Sequence, residues 1–125
     1  MKTLITAIVI ALTATSVSAK SKEWLITNFG NTSTEAQRVH SFEQVEDAQV
    51  SINGYIQEVD TPGWLTKEYT VSLWLEDDVI VYCRVPAKRA KEVVKLRLGQ
   101  NYTCEGRLSS YISLFGVTGL NIYTK

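Results

Sequence analysis

The chain has 125 residues, 45% of them hydrophobic, and 13 basic side chains balance 13 acidic ones. That length supports one single-core domain and excludes two. No compact run of five or more basic residues marks a nucleic-acid or membrane-surface tail.

Lys2 supplies a short positive start, Leu4 to Leu12 are almost unbroken apolar residues, and Thr13 to Ala19 are small residues ending in Val17-Ser18-Ala19. This is the layout of a secretory signal peptide, with cleavage expected after Ala19 and a periplasmic or secreted destination. The apolar run is about half the roughly 20 residues that span a bilayer as a helix. No Cys follows it to mark a lipid-modified lipoprotein, and no second run of spanning length occurs, so the mature chain is expected to have no membrane span.

Residues 20–47 read as an N-terminal leader with a short helical segment. Trp24-Leu25-Ile26 form an apolar patch, and the polar stretch Asn31 to Gln37 can start a short helix. Ser41-Phe42-Glu43-Gln44 has the form of a capping box, which predicts a helical turn just before the first strand.

From Ala48 the period changes to two. Val50, Ile52 and Ile56 alternate with Ser51, Asn53, Tyr55 and Gln57. Gly54 interrupts the apolar side and predicts a bulge or kink. Asp60-Thr61-Pro62-Gly63 reads as a turn. A second strand, Tyr69 to Glu76, turns Val71, Leu73 and Leu75 inward and Thr70, Ser72 and Trp74 outward, and Glu76-Asp77-Asp78 makes a hairpin turn. The third strand, Val79 to Val85, places Val79, Val81, Cys83 and Val85 on one face and Ile80, Tyr82 and Arg84 on the other. A helix follows: Pro86 suits its first position, Ala90, Val93, Val94 and Leu98 share a face, and Gly99 can cap its end. Two further strands run roughly Asn101 to Tyr111 and Leu114 to Tyr123, with Gly106, Gly116 and Gly119 available for bends.

Cys83 and Cys104 are the two cysteines, and an even count in an exported chain favours a disulfide. The alternative is a pair of reduced core cysteines, since alternation puts both on apolar faces. A bridge would close a loop of about 20 residues, worth roughly 3 kcal/mol in the chain-entropy model. Charge is segregated along the chain. Four basic against eleven acidic residues fall between Lys20 and Asp78, and seven basic against two acidic between Val79 and Arg107. Such a split either orients the protein on an anionic partner or reflects ordinary solvated faces.

Three strands, a helix and two strands in about 75 residues is the order of the OB-fold, a five-stranded Greek-key barrel. Val50-x-Ile52-x-Gly54-x-Ile56 resembles the opening strand of such barrels. Leu98-Gly99-Gln100-x-Tyr102-x-Cys104-x-Gly106 resembles their fourth strand. Over residues 48–125 the chain is similar to exported bacterial OB-fold proteins, above all the tRNA_anti-like family and the periplasmic BOF group. The expected fold class is therefore mainly β, a five-stranded OB-type barrel with one helix between strands three and four and a short helical leader. The resemblance implies a barrel and no particular ligand.

No catalytic set emerges. His40 has no Cys, Ser or Asp partner at motif spacing, the Glu76-Asp77-Asp78 group sits in a turn where solvated charge is ordinary, and no zinc spacing or phosphate-cradling Gly loop occurs. The expectation is a protein without enzymatic activity, cofactor or metal. OB barrels bind on the face of strands two and three, flanked by the loops after strands one and four. Here that face presents Trp74, Tyr82 and Arg84, with Trp64 in the first loop, as the candidate ligand-binding set. Aromatic groups beside an Arg stack on bases, sugars or peptide side chains; equally, Trp74 and Tyr82 can pack under the leader. The expected function is an exported, non-enzymatic binding module of the bacterial envelope, with a protein or glycan ligand fitting the acidic first half better than nucleic acid. The alternatives are an oligomeric secreted subunit resembling the B subunits of AB5 toxins, with the Ala87 to Leu98 helix at its interface, and a weak nucleic-acid binder.

Overall fold

Alternation governs most of the chain in this computed structural model, which describes residues 21–64 and 67–125. The signal-peptide reading of residues 1–19 lies outside the described residues. Five strands form: β1 (Gln49–Asp60), β2 (Glu68–Trp74), β3 (Val79–Pro86), β4 (Asn101–Leu114) and β5 (Val117–Tyr123). They hydrogen-bond in the closed order β1-β2-β3-β5-β4, with β4 returning to β1. Every neighbouring pair is antiparallel except β3 and β5.

The inward face is the one the sequence alternation selects. Ile52, Val71, Leu73, Val79, Val81, Val85, Leu108, Leu120 and Ile122 are sealed from solvent, and Val50, Ile56 and Leu75 nearly so. Cys83 and Cys104 are bonded, with Cα atoms 5.9 Å apart. Their strands, β3 and β4, are not neighbours in the ring, so the bridge crosses its interior. The disulfide reading holds and the reduced pair does not.

Gly54 is not a bulge. Its register with Tyr102 is regular, and a Cβ there would stand 3.1 Å from the side chains of Leu73 and Leu75. The glycine makes room for two core leucines. The register shifts in β1 one turn later, between Ile56 and Glu58, and in β4 between Leu108 and Ser110, where that long strand passes from β1 to β5. The β2–β3 turn is as read, with Asp77 and Asp78 at φ of 58° and 60°, the paired left-handed geometry of a type I′ hairpin.

The leader holds two helices where one short segment was expected. In α1 (Lys22–Phe29) the Trp24 amide donates to the Ser21 hydroxyl, and in α2 (Glu35–Val45) the Gln37 amide donates to the Thr34 hydroxyl. The helix therefore starts at Thr34-Glu35-Ala36-Gln37, within the polar stretch read as a helix start, and not at Ser41. Ser41 lies inside α2, buried, and its hydroxyl donates to Asn28 Oδ1 at 3.0 Å, joining the two helices. Leu25, Phe29 and Val45 enter the core at one end of the ring, and Phe29 and Phe42 pack on the Tyr111 ring at 5.6 and 5.0 Å. The Asn31 amide donates to the Asp77 carbonyl, and the Asp47 amide to that of Leu108, tying the leader to the sheet.

The expected helix from Pro86 to Leu98 shrinks to a 3₁₀ turn, Ala87–Arg89, and one helical turn, α3 (Ala90–Val93). Of its proposed inward face only Val93 is buried. Val94 and Leu98 are 69% and 68% exposed. The cause is the return path: the Gly99 amide donates to the Ile56 carbonyl at 2.7 Å and the Ile56 amide to Gln100 at 2.9 Å, so the chain must unwind early to reach β1. Gly99, at φ of 81°, makes that bend rather than capping a helix.

Candidate ligand-binding face

The outward side chains of β2, β3, β5 and β4 meet in rows set by the register. Thr70 stands opposite Arg84, Ser72 opposite Tyr82, and Trp74 opposite Ile80. On the other side of β3, Tyr82 aligns with Asn121, and Asn121 with Ser110.

Arg84 is fixed at the centre of this surface. Its Nη1 donates to Thr70 Oγ1 at 2.7 Å, while Nε and Nη2 both donate to Asn121 Oδ1 at 3.2 and 2.9 Å. Asn121 in turn donates to Ser110 Oγ at 3.1 Å, so one polar chain crosses four strands. The guanidinium carbon stands 5.8 Å from the Tyr82 ring centroid. Among the described residues no carboxylate pairs with Arg84; the two ion pairs, Arg89–Glu92 and Arg107–Asp47, lie elsewhere. The result is a half-buried cation, held rigidly beside an aromatic ring, with N–H groups left over.

Tyr82 is held by the backbone of β5. Its ring edge occupies the space that a Cβ on Gly119 would need, so the phenol lies across the glycine and cannot sink further. Trp74 is 39% exposed, beside Ile80 on β3 and opposite Tyr55 of β1, itself 60% exposed. Of the four residues proposed from sequence, Tyr82 and Arg84 touch and Trp74 flanks them. Trp64 is 93% exposed in the β1–β2 connection. That connection enters β2 at the end opposite Trp74, about 20 Å away along the strand at ~3.4 Å per residue.

Ile112 and Phe115, both outward, went unnoticed in the sequence, and Tyr55, placed outward by alternation, was left out of the candidate set. Ile112 faces Gly119 across β4 and β5, extending the row of Trp74 and Ile80. Phe115 is 95% exposed at the β4–β5 turn and adopts φ of 52°, next to Gly116 at 80°. A bulky residue in that left-handed region is unusual. The signal available in the sequence was the Phe-Gly pair between two alternating runs, in the place where Asn-Gly is ordinary.

An open groove of about 570 Å³ lies apart from this face, where β4 and β5 meet the carboxyl-terminal residues, lined by Arg89, Tyr102, Arg107 and Tyr123 among others. Its two arginines are already paired. Arg89 bonds both Glu92 oxygens, at 2.9 and 2.6 Å, which holds the Glu92 carboxyl below the usual range and raises the Arg89 guanidinium. Burial raises the Tyr102 phenol. Arg107 bonds Asp47 and lies 5.9 Å from the Tyr123 ring. His40 is an exposed residue of α2 whose ring contacts Gln44 Nε2 at 3.0 Å. The Asp78 carboxylate accepts from Asn31 Nδ2 at 3.3 Å.

The geometry thus defines a closed five-stranded sheet with an aromatic and cationic outer face. No protein-family model and no curated protein matches the chain. Among solved structures it is similar to a "putative nucleic acid-binding lipoprotein" from Klebsiella pneumoniae, with a TM-score of 0.60 and 13% sequence identity, over 87% of this chain and 91% of that one. At that identity the likeness concerns the fold.

Proposed function

We propose that the protein is an exported OB-fold binding module without enzymatic activity, whose ligand docks on the outer face of β2 and β3 at Trp74, Tyr82 and Arg84. The OB assignment is supported by the ring order and the lone parallel pairing of β3 with β5 in a Greek-key path. Export is supported by the disulfide, which persists only in oxidising compartments in most organisms. The observation that carries the site is Arg84, held by Thr70 and Asn121 beside Tyr82 without a carboxylate partner among the described residues. A cation fixed in this way gives an acidic or hydroxyl-rich group a directional contact, and the rings supply stacking area.

A protein or glycan ligand is our first reading, because Glu58 and Asp60 line the β1 edge opposite Ser72 and Thr70 and repel a polyphosphate. A weak nucleic-acid binder is the second, favoured by the name of the structural neighbour; it entails strong salt dependence. The toxin-like oligomer loses its proposed interface helix, of which one turn forms.

The test is capture from envelope extract split into protein, glycan and nucleic-acid fractions, comparing wild type with Trp74→Ala and Arg84→Gln. One fraction is retained by wild type and lost by both variants if the reading is right. Retention by folded variants of everything the wild type holds contradicts it.

A further inference from the structure

The segment from Ala87 to Leu98 leaves the sheet at the end where β1 and β3 finish and β2 and β4 begin. Val93 is its buried anchor and Leu96 packs partly on the core, whereas Val94 and Leu98 project with 69% and 68% of their surface exposed. Lys88, Lys91, Lys95 and Arg97 of the same segment are also exposed. Among the described residues none of these four forms an ion pair, because the segment's one carboxylate, Glu92, is taken by Arg89. Trp64, 93% exposed, lies in the β1–β2 connection at this same end.

Unneutralised cations around exposed aliphatic side chains fit an anionic partner that also accepts hydrocarbon. A nucleic-acid backbone satisfies the lysines but gives Val94 and Leu98 nothing to enter, since stacking needs a π face. An anionic bilayer accepts both: basic side chains meet the headgroups, aliphatic ones reach the acyl boundary, and a Trp sits at the interface. We infer that this end of the protein docks on an anionic lipid surface through Val94 and Leu98, flanked by Lys88, Lys91, Lys95 and Arg97. The docking leaves Trp74, Tyr82 and Arg84 open and stands independently of the ligand proposed for them.

The test is co-sedimentation of the exported, processed chain with vesicles of phosphatidylcholine alone or of equal parts phosphatidylcholine and phosphatidylglycerol. Lys88→Gln/Lys91→Gln/Lys95→Gln and Val94→Ser/Leu98→Ser variants are compared with a Val39→Ser control, all sharing one amino terminus and checked for folding by circular dichroism. Wild type and control bind the phosphatidylglycerol vesicles, and high salt releases them. The lysine variant binds about 100-fold more weakly, at about fivefold per charge, and the aliphatic variant at least about tenfold more weakly. Wild type that ignores the anionic vesicles overturns the proposal, as does binding that neither variant changes. So does loss of a single-stranded oligonucleotide by the lysine variant when the aliphatic variant binds vesicles as wild type does, which would assign the cations to nucleic acid.

Discussion

The two ends of the closed sheet are covered in different ways. At one end the leader inserts Leu25, Phe29 and Val45 into the core, and a ring cluster of Phe29, Phe42 and Tyr111 completes the seal. At the other end, where the sequence spacing predicts a full helix after Pro86, one helical turn supplies Val93 and then unwinds. The leader thus supplies three sealed side chains to its end of the core, whereas α3 supplies one to the other. The segment after β3, drawn back to β1 by the pairing of Gly99 and Gln100 with Ile56, is left with exposed lysines and aliphatics, so the difference teaches that the return path decides how much of a connection is buried.

That contrast sets the scale of mutational effects. Phe29→Ala removes a sealed aromatic anchor and is expected to cost about 3–5 kcal/mol in urea unfolding. If it costs no more than a surface substitution, the leader is not part of the core. Replacing Cys83 and Cys104 by Ser is expected to cost about 3 kcal/mol, with both ends weakened together, since the bridge crosses the middle of the ring. Val93→Ala, the lone sealed contact of α3, is expected to cost about 2 kcal/mol from lost methyl groups and the cavity left. Leu98→Ala, four residues past α3's last exposed neighbour Val94, is expected within about 0.5 kcal/mol. A larger loss would mean that the expected long helix forms after all.

The smallest effect is electrostatic. The Arg89 hydrogen bonds hold the Glu92 carboxyl below the usual range in the folded chain. A depressed folded value favours the ionised form, so the contribution is fully present above the unfolded carboxylate range and is lost as pH falls through the folded value. With the Glu92 side chain 52% exposed, it amounts to a few tenths of a kcal/mol. Acid titration of stability in wild type and Glu92→Gln should differ by that amount in that window and converge below it.

Most of the sheet was legible because its signal is local. Residues such as Val79, Val81, Cys83 and Val85 alternate strictly, and the even cysteine count in a chain read as exported favoured the bridge that forms, although the inward positions of both cysteines fitted a reduced pair as well. The helices were less legible because long-range ties decide where they begin and end. Ser41 satisfies a capping pattern, yet its hydroxyl serves Asn28, and Thr34 with Gln37 has the same pattern seven residues earlier. Ala90, Val93, Val94 and Leu98 carry helical spacing, yet the pairing of Gly99 and Gln100 with Ile56 ends the helix. The candidate face was half legible: alternation put Trp74, Tyr82 and Arg84 outward, whereas the place of Trp64 depended on which end of β2 its loop enters. Gly119, whose missing side chain seats Tyr82, gave no sign from a neighbouring strand.

The most direct test of the binding account is hydroxyl-radical footprinting of the wild-type protein, free and loaded with the envelope fraction it captures. The account predicts that Trp74 and Tyr82 become protected while Val39 and His40, on the outer side of the leader, react as before. Protection of other residues with Trp74 and Tyr82 unchanged would contradict it.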